Sequence, residues 1–553
     1  MKLNRYISVL VAGLATIACT DMNEIVPEGG TMLATQLQET NTAVPARAAA
    51  SFAGLFNPLG NPDYFGYDTP DDWGVLMMLY CNDVESADAC LPDSGYNWFS
   101  VCGEYSSRNA AYRNPTIRYR TPYMIIANAN DFIAGFPEDV EDAASLYMIA
   151  QAKALRAYAY MQLAANFQFG YTTFSAADVY DASKAPCVPI CSPDVPDPAN
   201  NPRASVGEIY DLIMKDLNEA VEGLEGYDRP SKMYINQNVA YGLRARAELT
   251  MGKYADAAAD AEKAAEGFTP ASIEEVSHPA FMDISEHNWI WGFDMTADNA
   301  KTFRYATSSS WLRSFSAWAY AAGAGCYTMI NKILYDKIPD SDVRKGWWVN
   351  EELYSPLLDG LTWDGGSQGS ASGQAIPEFA YDDKLAFLPY TNVKFGCDPI
   401  GTTDNAEDSP LMRVEEMILI QAEAYARDGQ VDKARGILDE FVKTYRDPSY
   451  VSANSGRDFL DEVWFQRRVE LWGEGFGIID TKRLNKPMVR FLGTPESTNI
   501  APAFRFNIAA NDGWLNMRFT NGELNTNFGI VDNTGGELPV MDQNGGLRDG
   551  VTD

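Results

Sequence analysis

The sequence predicts a mainly α-helical fold, a tetratricopeptide-like superhelix of helix pairs interrupted by one large, irregular, aromatic-rich insertion. Three observations lead there. Helix pairs with small and aromatic residues at fixed offsets occur before residue 270 and again after residue 411. The stretch between them shows little helical period yet holds seven of the twelve tryptophans, from Trp289 to Trp363. A chain of 553 residues with 46% hydrophobic content also has enough apolar matter for a large core.

The C-terminal pair is the plainest. Val414, Met417, Ile418 and Tyr425 fall at helical spacing, Asp428-Gly429 supplies a left-handed stop, and Val431, Ala434, Leu438 and Phe441 restart the period. Ala422, Ala424, Ala426 and Ala434 allow close helix approach. A third helix follows, with Leu460, Val463, Trp464 and Leu471 on one face and a dense charged set in Arg467, Arg468, Glu470, Glu474, Asp480, Lys482 and Arg483. Such density fits a structural ion-pair network better than a catalytic cluster. Upstream, Val206 to Leu224, Asn236 to Met251 and Ala255 to Ala265 form further pairs, and Met148 to Phe169 is a long helix with Ala152, Leu155, Ala159 and Leu163 on one face.

Composition excludes several functions. A net charge of −33 repels nucleic acid and anionic lipid. Two His and eight Cys without CxxC or HExxH spacing give no metal centre, and no cofactor is expected. Asp63, Asp68, Asp71 and Asp72 match no Ca²⁺-loop spacing and read as a solvated acidic loop. Gly365-Gly366-Ser367-Gln368-Gly369 has the letters of a nucleophile elbow, but no strand precedes it and both His lie upstream, so a serine hydrolase is not expected. A pair of glycosidase carboxylates cannot be told among 76 acidic residues.

Residues 1–18 read as a secretory signal, with Lys2 and Arg5 ahead of an apolar run that ends at Ala18. Leu14 to Cys19 resembles a bacterial lipobox, with Thr16 where Leu is usual, which makes Cys19 the expected lipidated first residue. Residues 19–50 are polar and aperiodic and read as a tether. The helical body then runs over 51–270, the aromatic insertion over 271–410, the C-terminal helix pairs over 411–486 and an irregular segment over 487–553. No second apolar run is long enough to span a bilayer, so the acyl chain is the expected anchor.

Four stretches carry a family resemblance. Arg467-x-x-Glu470-Leu471-x-x-Glu474-Gly475 followed by Asp480-x-x-Arg483, the run Ala154-Leu155-Arg156-Ala157 to Asn166-Phe167-x-x-Gly170, the SGYNWFS around Tyr96 and Trp98, and NWIWGFDM from Asn288 resemble the SusD/RagB family of outer-membrane nutrient-binding lipoproteins. Gln466 stands where that family usually has Glu, and Gly477 where it often has Arg. The resemblance implies a lipid-anchored, surface-exposed protein of the outer membrane that binds a glycan without cleaving it. It further implies a SusC-like TonB-dependent transporter as partner, over which the protein acts as a lid. Peptide cargo, as in RagB-like members, and a surface glycan hydrolase are the alternatives.

Aromatic faces suit sugars, whose rings present C–H faces to a π system while their hydroxyls stay free to hydrogen-bond. Tyr96, Trp98, Phe303, Tyr305 and Trp363 flank turn-rich sequence and are the expected ligand contacts. Trp311 joins them, although with Phe315 and Trp318 it also falls on a helix face suited to core packing.

Overall fold

Helices start and stop where local chemistry directs. The Asp142 carboxylate accepts from the Ser145 amide to open Ala143–Phe167, Ser205 and Glu208 form a reciprocal capping box ahead of Val206–Gly223, and Asn236 caps Gln237–Met251. Gly252, at φ 78°, turns the chain directly into Tyr254–Ala265. The computed structural model from which these are read describes residues 34–61, 69–93, 97–171, 182–192, 195–296, 311–313, 321, 325–359, 388–398 and 406–553.

From Arg113–Ala134 to Tyr254–Ala265 each helix packs on the next, and Tyr254–Ala265 then lies against Val414–Arg427, which carries both Val431–Tyr445 and Phe459–Glu470. The superhelix thus continues across the insertion. Alanines make this possible: Ala152, Ala154, Ala157, Ala159, Ala245, Ala257, Ala261, Ala422 and Ala424 are all fully buried at the helix contacts. Two-pronged ion pairs fix the register. Arg156 grips Asp216 at 2.7 Å through both nitrogens, and Arg246 grips Glu416 at 2.7 and 2.6 Å, the second joining the two halves of the superhelix across the insertion.

The insertion is closed at its neck by one antiparallel ladder, Trp289–Phe293 against Ser409–Arg413, with irregular register around Trp291. A second short ladder pairs Ala89–Cys90 with Met329–Ile330. Tryptophans fill the interior here. Trp289, Trp291, Trp347 and Trp348 are all buried; the Trp291 indole donates to the Met233 carbonyl at 3.0 Å and that of Trp347 to Val276 at 3.1 Å.

Behind the neck lies the charged set of the C-terminal helix. The Glu470 carboxylate accepts from Arg446 at 2.8 and 2.9 Å, from Arg413 at 3.2 Å and from Arg344 at 3.3 Å. Glu474 accepts from Arg413 and Lys394, and Glu415 pairs with Arg413 and Arg446. All of these side chains are buried, so the network is structural in its placement. Gln466 fits where an acid was anticipated because it accepts from Arg344 and donates to Glu462. Gly477 is held by backbone contact: its amide reaches Asp83 at 3.0 Å, and a Cβ there would lie 2.6 Å from Ser86, which leaves no room for an arginine.

One expectation needs correction. Part of the stretch read as tether is helical, with Ala34–Ala43 and Pro45–Gly54 ordered against the body. Gln38 and Asn41 donate to the carbonyls of Ala134 and Gly135, so long-range hydrogen bonds secure a segment whose own sequence lacks an apolar period. The segment 487–553 is mostly irregular; Met488, Phe491, Phe506, Met517 and Phe519 are buried, whereas Phe528, Val531, Val540 and Met541 are exposed. Buried Arg490 donates to the carbonyls of Val84, Ser86, Gly103 and Phe504, tying it to the N-terminal body.

One tight turn positions the next region. Gly74 begins Gly74–Val84 at φ 65°, and a Cβ would come within 2.2 Å of the Pro58 carbonyl oxygen. Gly74→Ala is therefore expected to destabilise the protein by about 2 kcal/mol or more, read as a lowered urea midpoint. An unchanged midpoint would contradict the close approach.

Candidate functional site

Gly74–Val84 and Arg113–Ala134 together frame a cavity of about 170 Å³ near the N-terminal end of the body. Its floor is soft and apolar, made by Met77, Met78, Cys81, Cys102 and Ile117. The Cys102 and Cys81 sulfurs touch at 3.7 Å as free thiols, and the hydrogen bond between them, together with burial, pushes the Cys102 thiol well up. Cys187 and Cys191, the other close pair in sequence, are also free.

The back wall is polar and rigid. Arg118, fully buried, donates to Asn114 at 2.9 Å, Asn82 at 2.5 Å, Asn166 at 2.6 Å and Glu85 at 2.9 Å, while Arg108 takes the other Glu85 oxygen at 2.6 Å. Each of these side chains is engaged with protein, although the buried Arg108 Nε makes no hydrogen bond, so the wall holds the rim in place.

The rim is where a ligand can be met. Tyr112 is 46% exposed and Val101 40% exposed, both beside the cavity mouth. Arg113 donates to Asp71 at 2.9 Å, and its guanidinium lies 5.8 Å from the ring centre of half-buried Trp98. The result is a half-buried aromatic ring braced by a paired cation, whose chain neighbour Tyr112 is exposed. Flat C–H-bearing molecules with hydroxyl edges suit such a surface: the rings take the faces, and Arg113 and Asp71 supply donors and acceptors at the edge.

Of the anticipated contacts, Trp98 is half-buried at this rim, where its ring meets Arg113. Trp311 is not available as one. It is fully buried, edge-on to Phe99 at 4.7 Å and 6.3 Å from Tyr80, because its helix-face spacing served the core. Tyr96, Phe303, Tyr305 and Trp363 lie outside the described residues, as do Cys19, Phe315, Trp318, the Gly365 to Gly369 motif, Asp63 and Asp68. Asp71 is engaged by Arg113 and Asp72 is buried, so these two do not form an open acidic loop. Both His are exposed, and His287 contacts Glu275 at 3.0 Å. Tyr112, Arg113 and Asp71 were missed. Exposed Tyr112-Arg113 immediately before a helix was the one local signal, and the Asp71 partnership is invisible to any window along the chain.

Comparison with known proteins places these features in a wider group. Residues 76–249 match a family model described as starch-binding, associating with the outer membrane, and residues 389–538 match the SusD family model, so together they account for more than half of the chain. No curated protein matches in sequence. Among solved structures, a SusD-like carbohydrate binding protein from Bacteroides vulgatus is similar at 23% identity and TM-score 0.68, over 88% of this chain and 97% of that one. A SusD superfamily protein from Bacteroides thetaiotaomicron gives 20% identity and TM-score 0.68, over 88% and 99%. A laminarin-binding SusD-like protein gives 16% identity and TM-score 0.57, over 89% and 99%. Among the described residues, no helix is long and apolar enough to cross a membrane.

Proposed function

This chain belongs to the SusD/RagB family, and from that premise we propose that it captures an oligo- or polysaccharide at the Trp98 rim without cleaving it and passes it to a SusC-like TonB-dependent transporter. The observation that carries the reading is exposed Tyr112 beside Arg113 at the mouth of the cavity, with the Arg113 guanidinium against the Trp98 ring. Within this reading the protein is anchored through Cys19 to the outer membrane and faces outward. Neutral β-glucans are a first class to test, since a structural relative is described as laminarin-binding. Capture without chemistry accords with an Asp71 carboxylate already engaged by Arg113 and a Glu85 carboxylate shared between two buried arginines, neither poised as a free general acid. The test is affinity gel electrophoresis of the chain from residue 20 against a polysaccharide panel, with reducing-end release measured on each glycan that retards it. Retardation without release supports capture. Release abolished by a single carboxylate change would make the protein a hydrolase, and absence of retardation by every glycan would favour peptide cargo.

A further inference from the structure

A second cavity lies between the helix Ala143–Phe167 and the C-terminal segment Gly475 to Arg483, and it shares no lining residue with the first. It holds about 100 Å³ of water-accessible space, enough for a small polar molecule. Its walls include the rings of Tyr158, Phe169 and Phe476.

Three buried polar side chains meet it with hydrogen-bonding capacity to spare. Arg467, 4% exposed, spends its Nε on Asp480 at 2.8 Å while its Nη1 has no partner. Gln162, 7% exposed, has an amide oxygen without a donor. Lys482, 6% exposed, gives one hydrogen bond to the Ala165 carbonyl at 2.5 Å, with no carboxylate within ion-pair reach among the described residues. Behind Lys482, Arg108 and Arg118 share the single carboxylate of Glu85, so three buried cations lean on one acid. The other carboxylates lining the cavity, Glu416, Glu474 and Asp480, are already paired with Arg246, Arg413 and Arg467, so that cluster lacks matching negative charge, and an unpaired donor and acceptor stand beside it.

We propose that this cavity is a ligand site for a small hydroxylated carboxylate, with a hexuronate as the type. The carboxylate supplies the charge that Lys482 lacks and an acceptor for the Arg467 Nη1, a hydroxyl donates to the Gln162 oxygen, and the ring face packs on the aromatic wall. Burial, with Arg108 and Arg118 alongside, pulls the Lys482 amine well below the usual lysine range, against the opposing pull of Glu85 and the nearby Cys187. An incoming anion raises it again, so binding takes up a proton and weakens as pH rises.

The test is isothermal titration of the chain from residue 20 with D-glucuronate and with D-glucose, in two buffers of different ionisation enthalpy. Lys482→Met, Gln162→Met and Trp98→Ala are titrated alongside, with unfolding midpoints as a check of folding. Expected are glucuronate binding with proton uptake, glucose at least about tenfold weaker, loss of about tenfold or more in affinity together with the proton uptake in Lys482→Met, and a severalfold loss in Gln162→Met, whose side chain holds nothing in the fold. Trp98→Ala retains glucuronate binding. Equal binding of glucose, no binding of glucuronate, unchanged affinity in folded Lys482→Met, or loss in Trp98→Ala would each overturn the proposal. Polysaccharide retention by Lys482→Met reports on the rim reading separately.

Discussion

Replacing Glu470 by alanine is expected to lower the stability of the protein by about 3–5 kcal/mol, the cost of leaving buried arginines without their shared acid. Three guanidinium groups converge on that carboxylate, and all four side chains are buried. Arg413 keeps Glu474 and Glu415, Arg446 keeps Glu415 and Arg344 keeps Asp342, yet none of these carboxylates can move to cover the gap. Urea unfolding reads the loss directly. The same network sets the acid limit. Glu470, Glu474 and Glu423 are held below the ordinary carboxylate range by the arginines around them, even against burial, which acts the other way. Their folded values lie under their unfolded ones, so their contribution is present above pH 4.5 and is lost as pH falls below it. The share of the unfolding midpoint that these three carboxylates supply should fall away below about pH 4.5. In Glu470→Ala the acid slope becomes shallower. A loss under about 1 kcal/mol in that variant would mean the network relaxes far more freely than its burial implies.

Trp98→Ala is expected to reduce glycan affinity by about 2 kcal/mol or more, roughly thirtyfold, as loss of a principal stacking ring would. Part of the indole packs on the core, so a modest stability loss should accompany it. Tyr112→Ala separates the two effects: that ring is largely in solvent, and its removal should weaken binding severalfold with no change in unfolding midpoint. Arg113→Gln should fall between them, since it removes the brace beneath Trp98 and the partner of Asp71 at once. If Tyr112→Ala and Trp98→Ala both bind as the natural chain does, the ligand surface lies elsewhere.

The helix pairs were legible because their determinants are local: Gly252 and the caps at Asn236 and Ser205 mark ends, and alternating small residues mark faces. The strand at Trp289 could likewise be read from alternation, and both indoles on it went to the core. Trp311 shows the limit. A helix-spaced tryptophan signals burial as well as binding, and only the neighbouring Phe99 and Tyr80 decide between them. Helices at 34–54 escaped notice since hydrogen bonds from Gln38 and Asn41 to residues near 135, rather than an apolar stripe, secure the first of them. Both cavities were illegible for one reason. Asp71 meets Arg113, and Gln162 lies near Lys482, across sequence separations that no periodicity records.

The measurement that tests the central claim most directly is a titration of the chain from residue 20 with soluble oligosaccharides of one polysaccharide that retards it, performed in parallel on Trp98→Ala. Saturable binding to the natural chain, lost at least thirtyfold in a folded Trp98→Ala with no new reducing ends formed, is the predicted result. Undiminished binding by Trp98→Ala, or cleavage of the oligosaccharide during the titration, would contradict it.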